Sequence, residues 1–146
     1  MSWTKLIPES EIKVKVTDAT VEFAKEFGEH LGKCSKDVKL TTSQLRKFFG
    51  EVKKQQMNGY DETDFVLLKP KLAYAVGRAR SKVRNPKLKD ELRINDFYRV
   101  ISKAIDCVKA DTQEESEKRF HNFIKVFEAI VAYHKAAEET KPNDNN

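Results

Sequence analysis

The residues with the most chemical capacity in this chain are its lysines and arginines, and their chemistry is the binding of anions. Arg46 and Lys53 are seven residues apart, as are Lys71 and Arg78. In a helix that spacing is two turns, so each pair shares a face. Such ladders can follow a phosphodiester backbone, where neutralised phosphates release counterions and give salt-dependent affinity with little sequence preference. Lys54, Lys69, Arg80 and Arg84 add charge beside them. Tyr60 and Tyr74 are the aromatic residues that could stack on bases. Tyr74, between Ala73 and Ala75, is expected in the core rather than on the surface.

Other chemistries find no matching pattern. Gly28 and Gly32 lack the rest of any phosphate-binding loop. Two cysteines and three scattered histidines give no zinc spacing. His134 continues an apolar stripe and is expected to be a satisfied, partly buried histidine, with His30 and His121 on the surface. Glu114, Glu115 and Glu117 are explained by a helix start. No serine or cysteine is paired in sequence with a base that would activate it. The expectation is a chain without catalytic residues, metal or cofactor.

Charge distribution supports binding instead. The net charge is +5, but residues 69–99 carry ten bases against Asp90, Glu91 and Asp96. Residues 33–58 carry Lys33, Lys36, Lys39, Arg46, Lys47, Lys53 and Lys54 against Asp37 and Glu51. A basic excess in the middle of the chain points to a folded surface that meets a polyanion. At 146 residues, 39% hydrophobic and 35% charged, the chain is expected to be one soluble domain with a core of its own. No apolar run approaches the roughly 18 residues of a membrane span, and MSWTKLIPES lacks the apolar stretch of a secretory signal. Cys34 and Cys107 are expected as buried, reduced thiols of a cytoplasmic protein.

The elements that must position the bases are helices. Residues 1–17 are expected to be an N-terminal arm, in which Ile12, Val14 and Val16 alternate with Lys13 and Lys15 as in a short extended segment. Residues 18–140 then form the domain, an all-α bundle of about five helices with no sheet, and residues 141–146 a disordered tail. A first helix from Asp18 to Leu31 has Phe23, Phe27 and Leu31 on one face and Gly32 at its end. Thr41 with Gln44 is the capping-box pattern, followed by Leu45, Phe48, Phe49 and Val52 at helical spacing, and Asn58-Gly59 interrupts. Glu62–Leu68 fits a short helical turn. Pro70 suits a first helical turn, so the third main helix starts at Lys69 or Pro70 and runs to about Lys82, with Leu68, Leu72, Ala75, Val76 and Ala79 on its apolar face. A fourth, through Phe97, Ile101, Ala104, Ile105 and Val108, begins at Leu88 or after Asn95. The last follows a second capping box, Thr112 with Glu115, and carries the stripe Phe120, Phe123, Phe127, Ile130, Val131 and His134. Lys69 and Lys71 sit near a helix start, where positive charge is unfavourable. They need a compensating anion, either a phosphate or a carboxylate such as Asp61, Glu62 or Asp64. Arg78 could likewise pair with an acid of a neighbouring helix.

Three segments, LTTSQLRKFF at Leu40–Phe49, LLKPKLAYAVGR at Leu67–Arg78 and FIKVFEAIVAYHK at Phe123–Lys135, resemble in order and spacing the small subunit of type III-A CRISPR effector (Csm) complexes. The resemblance covers residues from about 38 to 138 and leaves the first 35 outside it. It implies a small, helical, non-catalytic protein of antiviral and antiplasmid defence. Several copies would stack beside the backbone subunits and contact guide RNA and target RNA through a basic face, while cleavage belongs to the backbone and large subunits. Carried onto this chain, the matched basic positions are Arg46, Lys69, Lys71 and Arg78; Lys53, Lys54, Arg80 and Arg84 rest on charge alone. The expectation is that the Thr41-capped helix and the Pro70 helix present one RNA-facing surface. Two other readings stand beside it: a helical DNA-binding regulator, with TTSQLRKFF entering a groove, and an adaptor that meets an acidic protein without nucleic acid.

Overall fold

The computed structural model describes residues 3–139, and every regular element among them is helical. There are eight helices rather than about five: α1 (Glu9–Lys13), α2 (Asp18–Gly32), α3 (Thr42–Asn58), α4 (Glu62–Val66), α5 (Leu68–Ser81), α6 (Pro86–Glu91), α7 (Arg93–Asp106) and α8 (Gln113–Glu138). The long ones, α2, α3, α5, α7 and α8, match the expected five, and the short ones are joints among them. The expected tail at 141–146 lies outside the described residues.

Local chemistry sets the boundaries. Thr41 Oγ1 accepts from the Gln44 amide at 3.1 Å, and Gln44 Oε1 accepts from the Thr41 amide at 2.8 Å, so both arms of the capping box form. Gly59 ends α3 with φ of 90°, a conformation that disfavours a side chain. The second box is half made. Thr112 Oγ1 accepts from the Glu115 amide at 3.1 Å, but the Glu115 carboxylate turns to Arg119 one turn on, at 3.3 Å. The fourth expected helix is split. Asn85 Oδ1 accepts from the Lys87 amide at 2.9 Å and starts α6 at Pro86, then Leu92 (φ −58°, ψ 130°) breaks the chain before α7.

The arm is helical where an extended segment was expected. α1 buries Ile12 completely and leaves Val14 69% exposed. Glu11 ties this turn to the start of α2: its buried carboxylate accepts from the amides of Thr17 (2.8 Å) and Thr20 (3.1 Å) and from their hydroxyls (2.8 and 2.6 Å). The Thr20 amide is one of the orphan donors of the first turn of α2. Burial pushes the Glu11 carboxyl up, but the four donors, led by the Thr20 hydroxyl, outweigh it and hold it below its usual value. Trp3 docks on the domain. Its ring lies 4.9 Å from His30 and 5.1 Å from Phe27. His30 is therefore covered rather than on the surface, and its Nε2 meets Asp96 at 2.7 Å. Cys34 and Cys107 are half-buried rather than buried.

Aromatic rings join the long helices. Phe127 of α8 meets Phe48 (5.6 Å) and Phe49 (5.5 Å) of α3 and Phe97 (5.9 Å) of α7. Phe65 of α4 packs edge-on against Phe120 and Phe123. α2 packs along α8 most extensively. There His134 is buried and its Nε2 donates to the Leu40 carbonyl at 2.6 Å, the satisfied histidine its place in the stripe implied. No helix among the described residues is long and apolar enough to cross a membrane.

The α2–α8 contact depends on Gly28. A Cβ there would lie 2.7 Å from the His134 nitrogen and 2.8 Å from the Tyr133 carbonyl carbon, both backbone atoms. Gly28→Ala is expected to lower unfolding free energy by about 1–3 kcal/mol in a urea titration. Gly50→Ala on α3, with nothing within 4 Å of the new methyl, is expected to raise it by up to about 1 kcal/mol. Equal effects at the two sites would contradict the close approach.

Candidate nucleic-acid interface

α5 is buried at its start and exposed beyond it. Leu68 and Leu72 are buried, Val76 and Ala79 are half-buried, and Ala75 is exposed. The helix packs mainly on α7, and it touches α4 and α3 more lightly. A groove of about 740 Å³ opens between α3 and α5. Phe48, Leu72, Phe97, Leu92 and Ile94 form its floor, with the Phe48 and Phe97 rings set edge to face at 5.8 Å.

Helical spacing decides which bases reach the groove. On α5, Lys71, Tyr74, Ala75, Arg78 and Lys82 follow one face and line one wall. On α3, Gln44, Lys47 and Glu51 line the other, joined by Lys36 and Lys39 from the preceding loop. Six bases thus line the groove with two acids, Asp37 and Glu51, and of the six Lys39 pairs with Glu138 of α8 at 3.3 Å. Lys71 Nζ reaches across to Glu51 at 2.8 Å. That hydrogen bond, against partial burial, holds the Glu51 carboxyl below its usual value, and the Lys54 charge assists.

The sequence-derived positions divide under this geometry. Lys71 and Arg78 stand on the groove wall. Arg46 and Lys53 do not, because their face of α3 turns to α8: Lys53 pairs with Glu128 at 3.1 Å and lies over Phe49, whose ring packs on Phe127. The two basic rows therefore do not share one surface; the α5 row lines the groove and the Arg46–Lys53 row lies on the α8 flank. Lys54 and Arg84 are exposed outside the groove. Lys69 binds Asp106 of α7 at 2.6 Å, so Asp106 and Glu51, and not Asp61, Glu62 or Asp64, compensate the two lysines at the start of α5. Arg80 points inward. Its guanidinium donates to the Lys89 carbonyl (3.0 Å), Asn95 Oδ1 (3.3 Å) and Asp90 Oδ1 (3.1 Å), tying α5 to α6 and α7. Arg78 is exposed and has no ion pair among the described residues.

Tyr74 is 70% exposed on the groove rim, not in the core. Its neighbours Ala73 and Ala75 are also exposed, because the buried face of α5 is narrower than its alanine content suggests. Tyr60 is the one that packs inside, at 5.2 Å from Phe120 and 5.8 Å from Phe65, and burial pushes its phenol up. Sequence reasoning missed Lys36, Lys39, Lys47 and Lys82 as groove residues. The i, i+7, i+11 spacing of Lys71, Arg78 and Lys82 was available as a signal. Lys36 and Lys39 are brought in only by the loop path. No group of three or more His, Cys, Asp or Glu among the described residues could hold a metal ion.

The family model described as Csm2 Type III-A matches residues 15–140. The chain belongs to the Csm2 Type III-A family. This is the small-subunit family of the type III-A Csm complex, so the chain is a subunit of a type III-A CRISPR effector. The match begins well before residue 38 and takes in α2, which the sequence resemblance left outside; its packing along α8 makes it part of the same core. No curated protein and no solved structure matches the chain. Within this Csm2 chain the groove and the arginine tie are separable. Arg80→Ala is expected to lower unfolding free energy by about 1–2 kcal/mol through the lost carbonyl and carboxamide bonds, while Arg78→Ala stays within about 0.5 kcal/mol. Thermal melts of the two variants distinguish them, and equal melting temperatures would contradict the assignment.

Proposed function

We propose that this Csm2 subunit is a non-catalytic RNA-binding element of the type III-A effector. It stacks beside the backbone subunits, with other copies of itself along the assembly, and helps hold guide RNA and target RNA in cytoplasmic antiviral and antiplasmid defence. The α3–α5 groove is the observation that carries this reading. It offers a net positive lining on two rigid helices, with Arg78 exposed and Lys47 and Lys82 on its walls. Cations at such positions attract any phosphodiester strand and contribute affinity by counterion release.

Internal ion pairs are compatible with this role. The Lys71–Glu51 and Lys69–Asp106 pairs are solvent-exposed to a degree that makes each worth at most about 1 kcal/mol. A phosphate can displace either carboxylate at little expense. Of the eight positions singled out from sequence, Lys71 and Arg78 are the principal contacts. Arg46, Lys53, Lys54, Lys69 and Arg84 supply a weaker surrounding field, and Arg80 serves the fold.

The test compares two triple variants by fluorescence anisotropy on a short RNA over a salt series. Lys47→Ala with Arg78→Ala and Lys82→Ala is expected to weaken binding strongly and to reduce the log–log salt slope by about 2. Arg46→Ala with Lys53→Ala and Arg84→Ala is expected to change it less. Affinity indifferent to the groove triple would overturn the RNA-groove reading.

A further inference from the structure

Tyr74 is unexplained by the fold. Among the described residues no ring packs on it, and it leaves a large aromatic surface in water on a helix whose other exposed members are charged or small. It stands one turn from Lys71 and one turn from Arg78, above the apolar floor of the groove. Those two cations are separated by about 10 Å along the helix axis, at 1.5 Å per residue.

We propose that the α3–α5 groove is a slot for single-stranded RNA, in which an unpaired base stacks on Tyr74 while Lys71 and Arg78 hold the phosphates beside it. This rests on the RNA-binding reading above and adds the state of the strand. Bases in an A-form duplex stack on one another, and the duplex shows proteins its phosphates, 2′-hydroxyls and groove edges. An aromatic platform is useful only to a base that has left the stack. The size of the groove agrees. At about 740 Å³ it has room for a base and its sugar between the two walls.

The charge would also suit an acidic peptide, but the floor would not. A peptide is anchored by side chains sunk in desolvated pockets. Here Leu72 is 2% exposed, Phe97 1% and Phe48 7%, so the floor is a closed wall with little apolar area left to cover. The one large exposed apolar side chain of the lining is Tyr74 on the rim, with the small Ala75 and the half-buried Ala79 and Val83 beside it, and its ring suits a planar group laid against it.

The test uses the full chain and a labelled 12-nucleotide RNA without self-complementarity, alone and annealed to its complement, titrated by anisotropy at one salt concentration. The single strand is expected to bind about tenfold more tightly than the duplex. Tyr74→Ala is expected to remove most of that preference, weakening single-strand binding by roughly tenfold and duplex binding little. Tyr74→Phe should keep it, because the ring remains. The salt slope should be the same for Tyr74→Ala and the unmodified chain, since no charge is lost. Equal affinity for both RNA forms, or a Tyr74→Ala effect that is absent or equal on both, overturns the slot. If Arg78→Ala still weakens both forms in that case, RNA binding by the groove stands and only the strand preference fails. If neither form binds, both readings fail. If Tyr74→Ala leaves RNA affinity intact but releases a protein subunit from the purified effector complex, the groove holds protein and the slot is overturned.

Discussion

Phe127 joins α3 and α7 to one core, and α5 reaches that core mainly through α7. The Phe127 ring meets Phe48 and Phe49 on α3 and Phe97 on α7, while α5 is fixed to α7 and α4 through Leu68 and Leu72. α3 and α5 are thus positioned more by the layer they share than by each other, with the exposed Lys71–Glu51 pair as a direct tie between them. Two cylinders about 10 Å wide, each seated on the same layer, leave a cleft between them. The edge-to-face Phe48–Phe97 pair closes the bottom of that cleft. The exposed second half of α5 follows from the same arrangement, since beyond Leu72 no other helix covers it fully.

Charge is distributed over this frame in two ways. Arg80 satisfies two backbone or side-chain oxygens and a carboxylate and fixes the α5–α6 joint. Lys69, Lys71 and Lys53 each find one exposed carboxylate on another helix. Such pairs orient a long side chain without committing it, because exposed ion pairs contribute little net free energy. Arg78 and Lys82, further along α5, meet the groove without such a partner among the described residues. A basic residue and its function as a ligand-binding group are therefore only loosely tied to its presence in a basic run; the carboxylate opposite decides.

Much of the fold was legible because it is written locally. Thr41 and Gln44 mark the start of α3, Pro70 falls in the first turn of α5, and the Phe23, Phe27 and Leu31 repeat places the buried face of α2. The family, too, was legible from its segments. What escaped depends on tertiary partners. Alternation at Ile12, Val14 and Val16 reads as extended, yet the segment is a helical turn that buries Ile12 and is tied to the start of α2 by four donors on Glu11. His30 is covered by Trp3, far away in sequence. Tyr74 sits among alanines that periodicity alone reads as core, and the Arg46–Lys53 ladder is real but turns toward α8. A ladder fixes which residues share a face, not what that face meets.

The central claim is that the groove walls, and not the basic rows at large, meet RNA. Amide chemical-shift mapping of the full chain during titration with a short single-stranded RNA tests it most directly. The groove assignment predicts the largest shifts at Gln44, Lys47 and Glu51 of α3 and at Lys71, Tyr74, Arg78 and Lys82 along and just after α5, with Arg46, Lys53 and the Glu128 side of α8 quiet. Shifts centred on the Arg46–Lys53 flank and α8, with α5 unmoved, would contradict it.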